Sequence, residues 1–306
     1  MSARPATARQ AGLDVLRLAA ILLVTVQHGL SVNGHYDQAE VGGLSYGQMG
    51  VAIFCAISGY LAFVRPETGT GRWFLGRLRS LFPAYWLAML FSFALTWAFH
   101  AKDFSAYQFV SQMLGLGYFT HGWNLVNIVS WFLSLILLCY VLAAAARASG
   151  RPAAVLALVF AVAAWLVASR TEVDLSRHVL AFSVGGLLRL APPLPAPAAV
   201  AALAVPWLLW PSLGIQFGYA ALGGALLALA LGSRPSPAWL SGGAGYIYEY
   251  FLLHGIFLVG LARFLPDRPL AAAALAVLAT LPAAFVLHHA ARRLAHAVFP
   301  GGAPAS

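Results

Sequence analysis

Three groups of polar residues in this sequence have types and spacings that could do chemistry. The first is Asp14, Arg17 and His28. Arg17 and His28 are 11 residues apart, close to three helical turns, so on a helix both project from one face about 16 Å apart. An arginine can hold an anion and an imidazole can exchange a proton near neutrality. Asp14, one turn before Arg17, can pair with it and fix the guanidinium fork. The same three residues would also serve as a cytoplasmic anchor followed by a buried, satisfied imidazole.

The second group lies in Gly71-Arg-Trp-Phe-Leu-Gly-Arg-Leu-Arg-Ser-Leu-Phe-Pro-Ala-Tyr-Trp86, where Arg72, Arg77 and Arg79 fall within eight residues ahead of Pro83. Guanidinium groups at a membrane mouth suit multidentate phosphate binding, and equally suit contact with lipid headgroups. The third is Tyr246-Ile-Tyr-Glu-Tyr-Phe-Leu-Leu-His254, in which Glu249 and His254 interrupt an apolar run. A carboxylate facing lipid is untenable, so Glu249 is expected to point into protein, and His254 to have a structural or orienting role.

Other signals are weaker. Ser58-Gly59-Tyr60 forms a small-residue patch where helices can pack closely or a ligand can approach. Trp131, Ser134 and Tyr140 share helical spacing, and interfacial belting alone would account for Trp131. Asp174, Arg177 and His178 read as a solvated helix start, and His288 and His289, being adjacent, diverge on a helix. Cys55 and Cys139 lie in apolar stretches and read as packing residues. No metal-ligand spacing, phosphate-binding glycine loop, dinucleotide fingerprint or nucleophile elbow is present, so no metal and no permanently bound cofactor is expected.

The elements that must position these residues follow from composition. Of 306 residues, 61% are apolar or aromatic and 9% charged, against about 45–50% and 25% in soluble domains. Charge-free stretches run from Leu18 to Tyr36, Val41 to Val64, Ser80 to Ala101 and Pro269 to Ala291, each long enough to cross a hydrocarbon core as a helix. The chain is expected to be an all-α, polytopic transmembrane bundle forming a single domain over 1–306. About ten helices are predicted near 12–33, 46–64, 77–100, 126–147, 153–169, 175–191, 197–211, 215–232, 243–264 and 269–293, with a short re-entrant piece possible around Phe109–Phe119. A cleaved signal peptide is not expected, because the first apolar stretch lacks a small-residue cleavage site.

An even helix count puts both termini on one side. That side carries 13 of the 18 basic residues and the other five, which places the termini in the cytoplasm. The same asymmetry accounts for the net charge of +9 without nucleic acid, since no basic run is interleaved with aromatics.

Together these features resemble the bacterial integral-membrane acyltransferase-3 family, along nearly the whole chain. Leu13-Asp-Val-Leu-Arg17 followed by His28 is similar to its opening signature. Gly50 to Phe54 with Ile57-Ser-Gly-Tyr60 resembles its second-helix pattern, and Arg77 leading to Pro83-Ala-Tyr-Trp86 its cytoplasmic Arg-x-x-Arg motif. Trp131-Phe-Leu-Ser134 and Tyr248 to His254 are similar to two later signatures. In one departure, the family's second arginine falls on Ser80 while Arg79 is displaced by one position. No appended esterase-like domain is expected before the end at Ser306.

The resemblance implies an acyl-CoA-dependent O-acyltransferase of the bacterial inner membrane. It would move an acyl group, most commonly acetyl, from the cytoplasmic side to a hydroxyl of a glycan or lipid-linked glycan at the outer side. Arg17, Arg72, Arg77 and Arg79 would hold the donor's phosphates, and His28 would act as general base or as acyl-carrying nucleophile. Glu249 would orient a histidine or stabilise its cation, with Asp14, Ser58, Tyr60, Trp131 and His254 lining the cavity. A polytopic transporter or export helper for a polysaccharide precursor is the alternative, expected to show a continuous polar pore and often an inverted repeat.

Overall fold

The computed structural model describes residues 6–64, 69–192, 195–201, 214–232 and 245–299, with side chains from Gly12 onward. Its long helices are α1 (Ala6–Val32), α2 (Tyr46–Ala62), α3 (Thr70–Ala98), α6 (Trp131–Ala148), α7 (Pro152–Ala168), α8 (Val173–Leu190), α9 (Gly214–Gly232), α10 (Ile247–Phe264) and α11 (Pro269–Val298), and the short α4 (Ala106–Met113) and α5 (Gly117–His121) occupy the stretch read as re-entrant. Among the described residues six segments are long and apolar enough to cross a membrane: Gly12–Val32, Thr70–Ala98, Ile128–Ala148, Gly214–Gly232, Ile247–Phe264 and Pro269–Val298. Most of the helix expected over 197–211 lies outside the described residues; 197–201 is helical.

Two boundaries differ from the sequence expectation for physical reasons. Helix α3 begins at Thr70, not near 77, because neither Gly71 nor Gly76 stops it, and Pro83 sits inside it. Pro83 has no N–H to donate to the Arg79 carbonyl, so one intrahelical hydrogen bond is lost there. Between α1 and α2 the chain forms a small hairpin, β1 (Glu40–Val41) with β2 (Leu44–Ser45), in register Glu40 opposite Ser45 and Val41 opposite Leu44. Gly42 and Gly43 turn it with φ of +56° and +77°, the left-handed pair that a two-residue hairpin turn requires.

The helices fall into two compact units. The first holds Met1–Ser31, His35–Thr70 and Cys139–Gly245, and the second Val32–Gly34, Gly71–Leu138 and Tyr246–Ser306. In the first unit α2, α8 and α9 pack backbone to backbone. A Cβ at Gly59 would collide with the Phe182 carbonyl, one at Gly185 with the Ala56 carbonyl, and one at Gly223 would lie 3.0 Å from the Ala52 oxygen. Small residues thus permit the approach that membrane helices need. Leu13, Leu16 and Ala20 of α1, Ile53, Ile57 and Tyr60 of α2 and Leu227 of α9 form one buried cluster. Cys55 and Cys139 are buried free thiols beside one another.

In the second unit α10 packs on α11, and buried amides tie the irregular segments to the helices. Asn127 Nδ2 donates to Ser92 Oγ at 3.2 Å and to the Leu252 carbonyl at 3.1 Å. Gln112 Oε1 accepts from Val126 N at 3.0 Å, and the Tyr85 hydroxyl donates to the Gln112 carbonyl. Trp86 Nε1 donates to the Met113 carbonyl at 2.9 Å. Non-helical backbone is thereby satisfied within protein, the condition for its presence in an apolar bundle.

Candidate functional site

Residues singled out from the sequence occur in both units. In the first, α1 carries Asp14, Arg17 and His28. Arg17 Nη1 donates to Asp14 Oδ1 at 2.9 Å, as the i, i+3 spacing predicts, with the arginine side chain one-third exposed. His28, half-buried, follows three turns along the same face. Ser58 is half-buried on α2, whereas Tyr60 is packed into the apolar cluster, so its aromatic body serves the core.

Residue 28 has a neighbour that the sequence did not flag. Gln27, only 6% exposed, accepts through Oε1 from Ser45 Oγ at 2.9 Å and from Gly47 N at 3.3 Å, stapling the hairpin and the start of α2 to α1. Ser45 N in turn donates to the Tyr219 hydroxyl at 3.0 Å. Arg177 donates to Asp174 at 2.8 Å and to Gln216 Oε1 at 3.0 Å, and its guanidinium lies 5.6 Å from the centre of the Tyr219 ring. His178 is fully buried, its Nε2 2.6 Å from Gln48 Oε1. At this start of α8 Arg177 and His178 belong to an interior polar network, whereas Asp174, its side chain 38% exposed, keeps the solvated position expected for all three.

In the second unit Glu249 points inward as expected. It is buried, and its Oε1 accepts from His288 Nδ1 at 2.9 Å. A carboxylate can only accept from that nitrogen, or share a charge-assisted bond with it, so the other ring nitrogen of His288 is the one turned away from the pair. Tyr246 lies edge-on to the His288 ring at 4.9 Å. Glu249 Oε2 is buried with no hydrogen-bond partner among the described residues. His288 is not singled out by its spacing in the sequence. An ionisable residue within an apolar span was the available signal, but its partner sits 39 positions away.

His254 is buried, with Nδ1 2.7 Å from the Phe251 carbonyl and its ring stacked on Tyr250 at 5.9 Å. The carbonyl fixes Nδ1 as the protonated nitrogen. Trp131, also buried, rests against Trp123 at 5.4 Å and Phe132 at 6.5 Å.

The three arginines of α3 stand on helix, not partly on a loop. Arg72 and Arg79 are two turns apart on one face, while Arg77 projects about 140–160° away from them. Arg72 is exposed. Arg77 lies over the Trp73 ring at 5.8 Å and Arg79 over Phe299 at 5.5 Å. Arg79 Nε is buried without a hydrogen-bond partner among the described residues. Ser80, where the family pattern would put arginine, is exposed and donates to the Arg77 carbonyl at 2.9 Å.

Among the described residues no group of three or more His, Cys, Asp or Glu side chains is placed to hold a metal ion. Chemically the arrangement offers imidazoles for proton transfer and guanidiniums for anions. Comparison with curated proteins gives no match, and comparison with solved structures gives none either. The family model described as an acyltransferase domain matches residues 10–289, a span that includes the Arg17 and His28 helix, the α3 arginines and the Glu249–His288 pair, and the chain belongs to that acyltransferase family.

Proposed function

We propose that this membrane acyltransferase takes its acyl group, acetyl in the first instance, from acyl-CoA on the cytoplasmic side. It would pass the group to a hydroxyl of a glycan or lipid-linked glycan at the outer side of a bacterial inner membrane. The accompanying topology is ten spans with both termini in the cytoplasm. What carries the reading is the placement on α1 of a half-buried imidazole three turns along one face from the Asp14-braced Arg17, in a chain of the acyltransferase family. The positive excess on the terminal side supports the orientation.

In the reaction, His28 takes the proton of the acceptor hydroxyl as that oxygen attacks the thioester carbonyl. The tetrahedral intermediate collapses, the carbon–sulfur bond breaks, and the CoA thiolate leaves as the thiol with the proton that His28 had taken. Arg17, and Arg72, Arg77 and Arg79 on the inner turns of α3, hold the donor's phosphates. The roughly 16 Å from Arg17 to His28 suits the length of a pantetheine arm. Glu249 orients His288, whose outer nitrogen can give and take a proton on the donor side. Ser58, Trp131 and His254 shape the binding space.

The test uses the purified chain in lipid nanodiscs with labelled acetyl-CoA and an acceptor glycan. Wild-type protein should transfer label to the glycan, and His28→Ala should lower the rate at least a thousandfold, within the range that acid–base and nucleophilic groups contribute. Transfer by His28→Ala near the wild-type rate would overturn the assignment. So would wild-type protein that moves glycan across the bilayer without labelling it, the outcome a transporter gives.

A further inference from the structure

The first unit contains a pocket of about 370 Å3 lined by Phe63, Gly69, Thr70, Arg147, Pro152, Arg189 and Leu190. That volume lies at the lower end of small-molecule sites. Its walls are built from helix ends. Phe63 caps the C-terminus of α2, Arg147 is in the last turn of α6, Pro152 opens α7, and Arg189 and Leu190 close α8. None of Arg17, Arg72, Arg77 and Arg79 lines it.

Arg147 and Arg189 both line this one cavity, and no carboxylate lines it among the described residues. Arg147 is held in place by donating to the Ala62 carbonyl at 2.7 Å, one of the orphan carbonyls at the end of α2. Arg189 is half-buried and makes no hydrogen bond or ion pair among the described residues. Its donors are therefore available to a ligand. The start of α7, with Pro152 at its first position, adds the positive end of a 17-residue helix. Phe63, Pro152 and Leu190 supply apolar wall for whatever carries the anion.

We propose that this pocket binds a phosphate ester, its phosphoryl oxygens between Arg147 and Arg189 and its organic body against Phe63 and Leu190. Two sources offer that chemistry, the nucleotide end of the acyl donor and the headgroup of an anionic phospholipid. In the first case the inference deepens the acyl-CoA reading above and rests on it. In the second it stands apart, as a lipid site.

Binding, not turnover, tests it. Wild-type protein, Arg189→Gln and Arg147→Gln are reconstituted in phosphatidylcholine nanodiscs and titrated with CoA and with dephospho-CoA, which lacks the 3′-phosphate. In a second arm, phosphatidylglycerol or phosphatidylcholine is added to detergent-solubilised protein and retention is read by native mass spectrometry. Each arginine variant should lose at least tenfold in affinity for one phosphate probe, the loss expected for one charge-assisted hydrogen bond. A loss confined to CoA, with dephospho-CoA unaffected, assigns the 3′-phosphate; an equal loss for both assigns the diphosphate. A loss of phosphatidylglycerol alone assigns the lipid. Arg189→Gln carries the result if Arg147→Gln loosens the end of α2, since it breaks no hydrogen bond among the described residues. Unchanged binding of both CoA and phosphatidylglycerol by folded Arg189→Gln would overturn the proposal. Because no acceptor or transfer step enters the assay, that outcome is separate from failure of the His28 reading.

Discussion

Replacing Gly59 or Gly185 by alanine should break the first unit at its tightest seam. A Cβ at Gly59 would fall on the Phe182 carbonyl oxygen and 2.8 Å from its carbon. One at Gly185 would fall on the Ala56 carbonyl oxygen and 2.7 Å from its carbon. Real Cβ atoms rarely come within 3.0–3.4 Å of any heavy atom, so α2 and α8 must move apart by roughly 1 Å. The obstructing atoms are backbone within helices, which no rotamer change relieves. A gap of that size forfeits a quarter to a half of the dispersion energy along the seam. Overpacking alone costs about 1–3 kcal/mol; with the added loss we expect about 3 kcal/mol or more for each variant. In detergent this corresponds to a fall in melting temperature of about 5–10 °C. Because one separation of α2 from α8 relieves both clashes, the double variant should cost less than the sum. Gly260→Ala on α10, with nothing within 4 Å of its Cβ, should stay within about 0.5 kcal/mol of wild type. The reasoning fails if Gly59→Ala and Gly185→Ala both melt with wild type, or if Gly260→Ala is equally damaging.

Two further outcomes follow from the polar pairs. In a double-mutant cycle of Glu249→Gln with His288→Ala, unfolding in detergent should give a coupling energy of about 1.5–3 kcal/mol; additive single effects would show that the 2.9 Å contact contributes nothing. Arg177→Lys should lose about as much stability as Arg177→Gln, some 2 kcal/mol, because an ammonium cannot serve Asp174, Gln216 and the Tyr219 face together. Full rescue by lysine in the same unfolding assay would reduce that cluster to simple charge.

The helices were legible because lipid imposes a coarse requirement, a long apolar run ended by charge, glycine or proline, and α1, α3, α9, α10 and α11 meet it. Local pairs were legible for a similar reason: three positions on a helix bring Asp14 to Arg17 whatever surrounds them. The inward aim of Glu249 also followed from solvation alone, but its partner did not. His288 is brought to it by the packing of α10 on α11, which no local spacing encodes. Neutral polar residues were the larger blind spot. Gln27, Gln48, Gln112 and Asn127 carry no charge to flag them in an apolar run, yet Gln27 organises the hairpin, Gln112 and Asn127 the irregular segment before α6, and Gln48 meets the buried His178 of α8. The hairpin itself was readable from Val41-Gly-Gly-Leu44, and was masked by the uninterrupted apolar character of its surroundings.

The buried polar groups differ in how much of their hydrogen-bonding capacity the fold consumes. Gln27 Oε1 accepts from two partners and Asn127 Nδ2 donates to two, so each is consumed in holding one element to another. A group already satisfied gains little from a ligand and loses much if disturbed. Glu249 Oε2 and Arg79 Nε retain unfilled hydrogen-bonding capacity among the described residues, as do Gln112 Nε2, Ser130 Oγ, Ser183 Oγ and Arg177 Nε, and Arg189 is a half-buried cation. In an apolar bundle such capacity carries a desolvation cost that a structural role alone does not offset. Arg79 and Arg189 can each hold an anion, and Glu249 braces an imidazole able to exchange a proton, the capacities on which the proposed reaction draws.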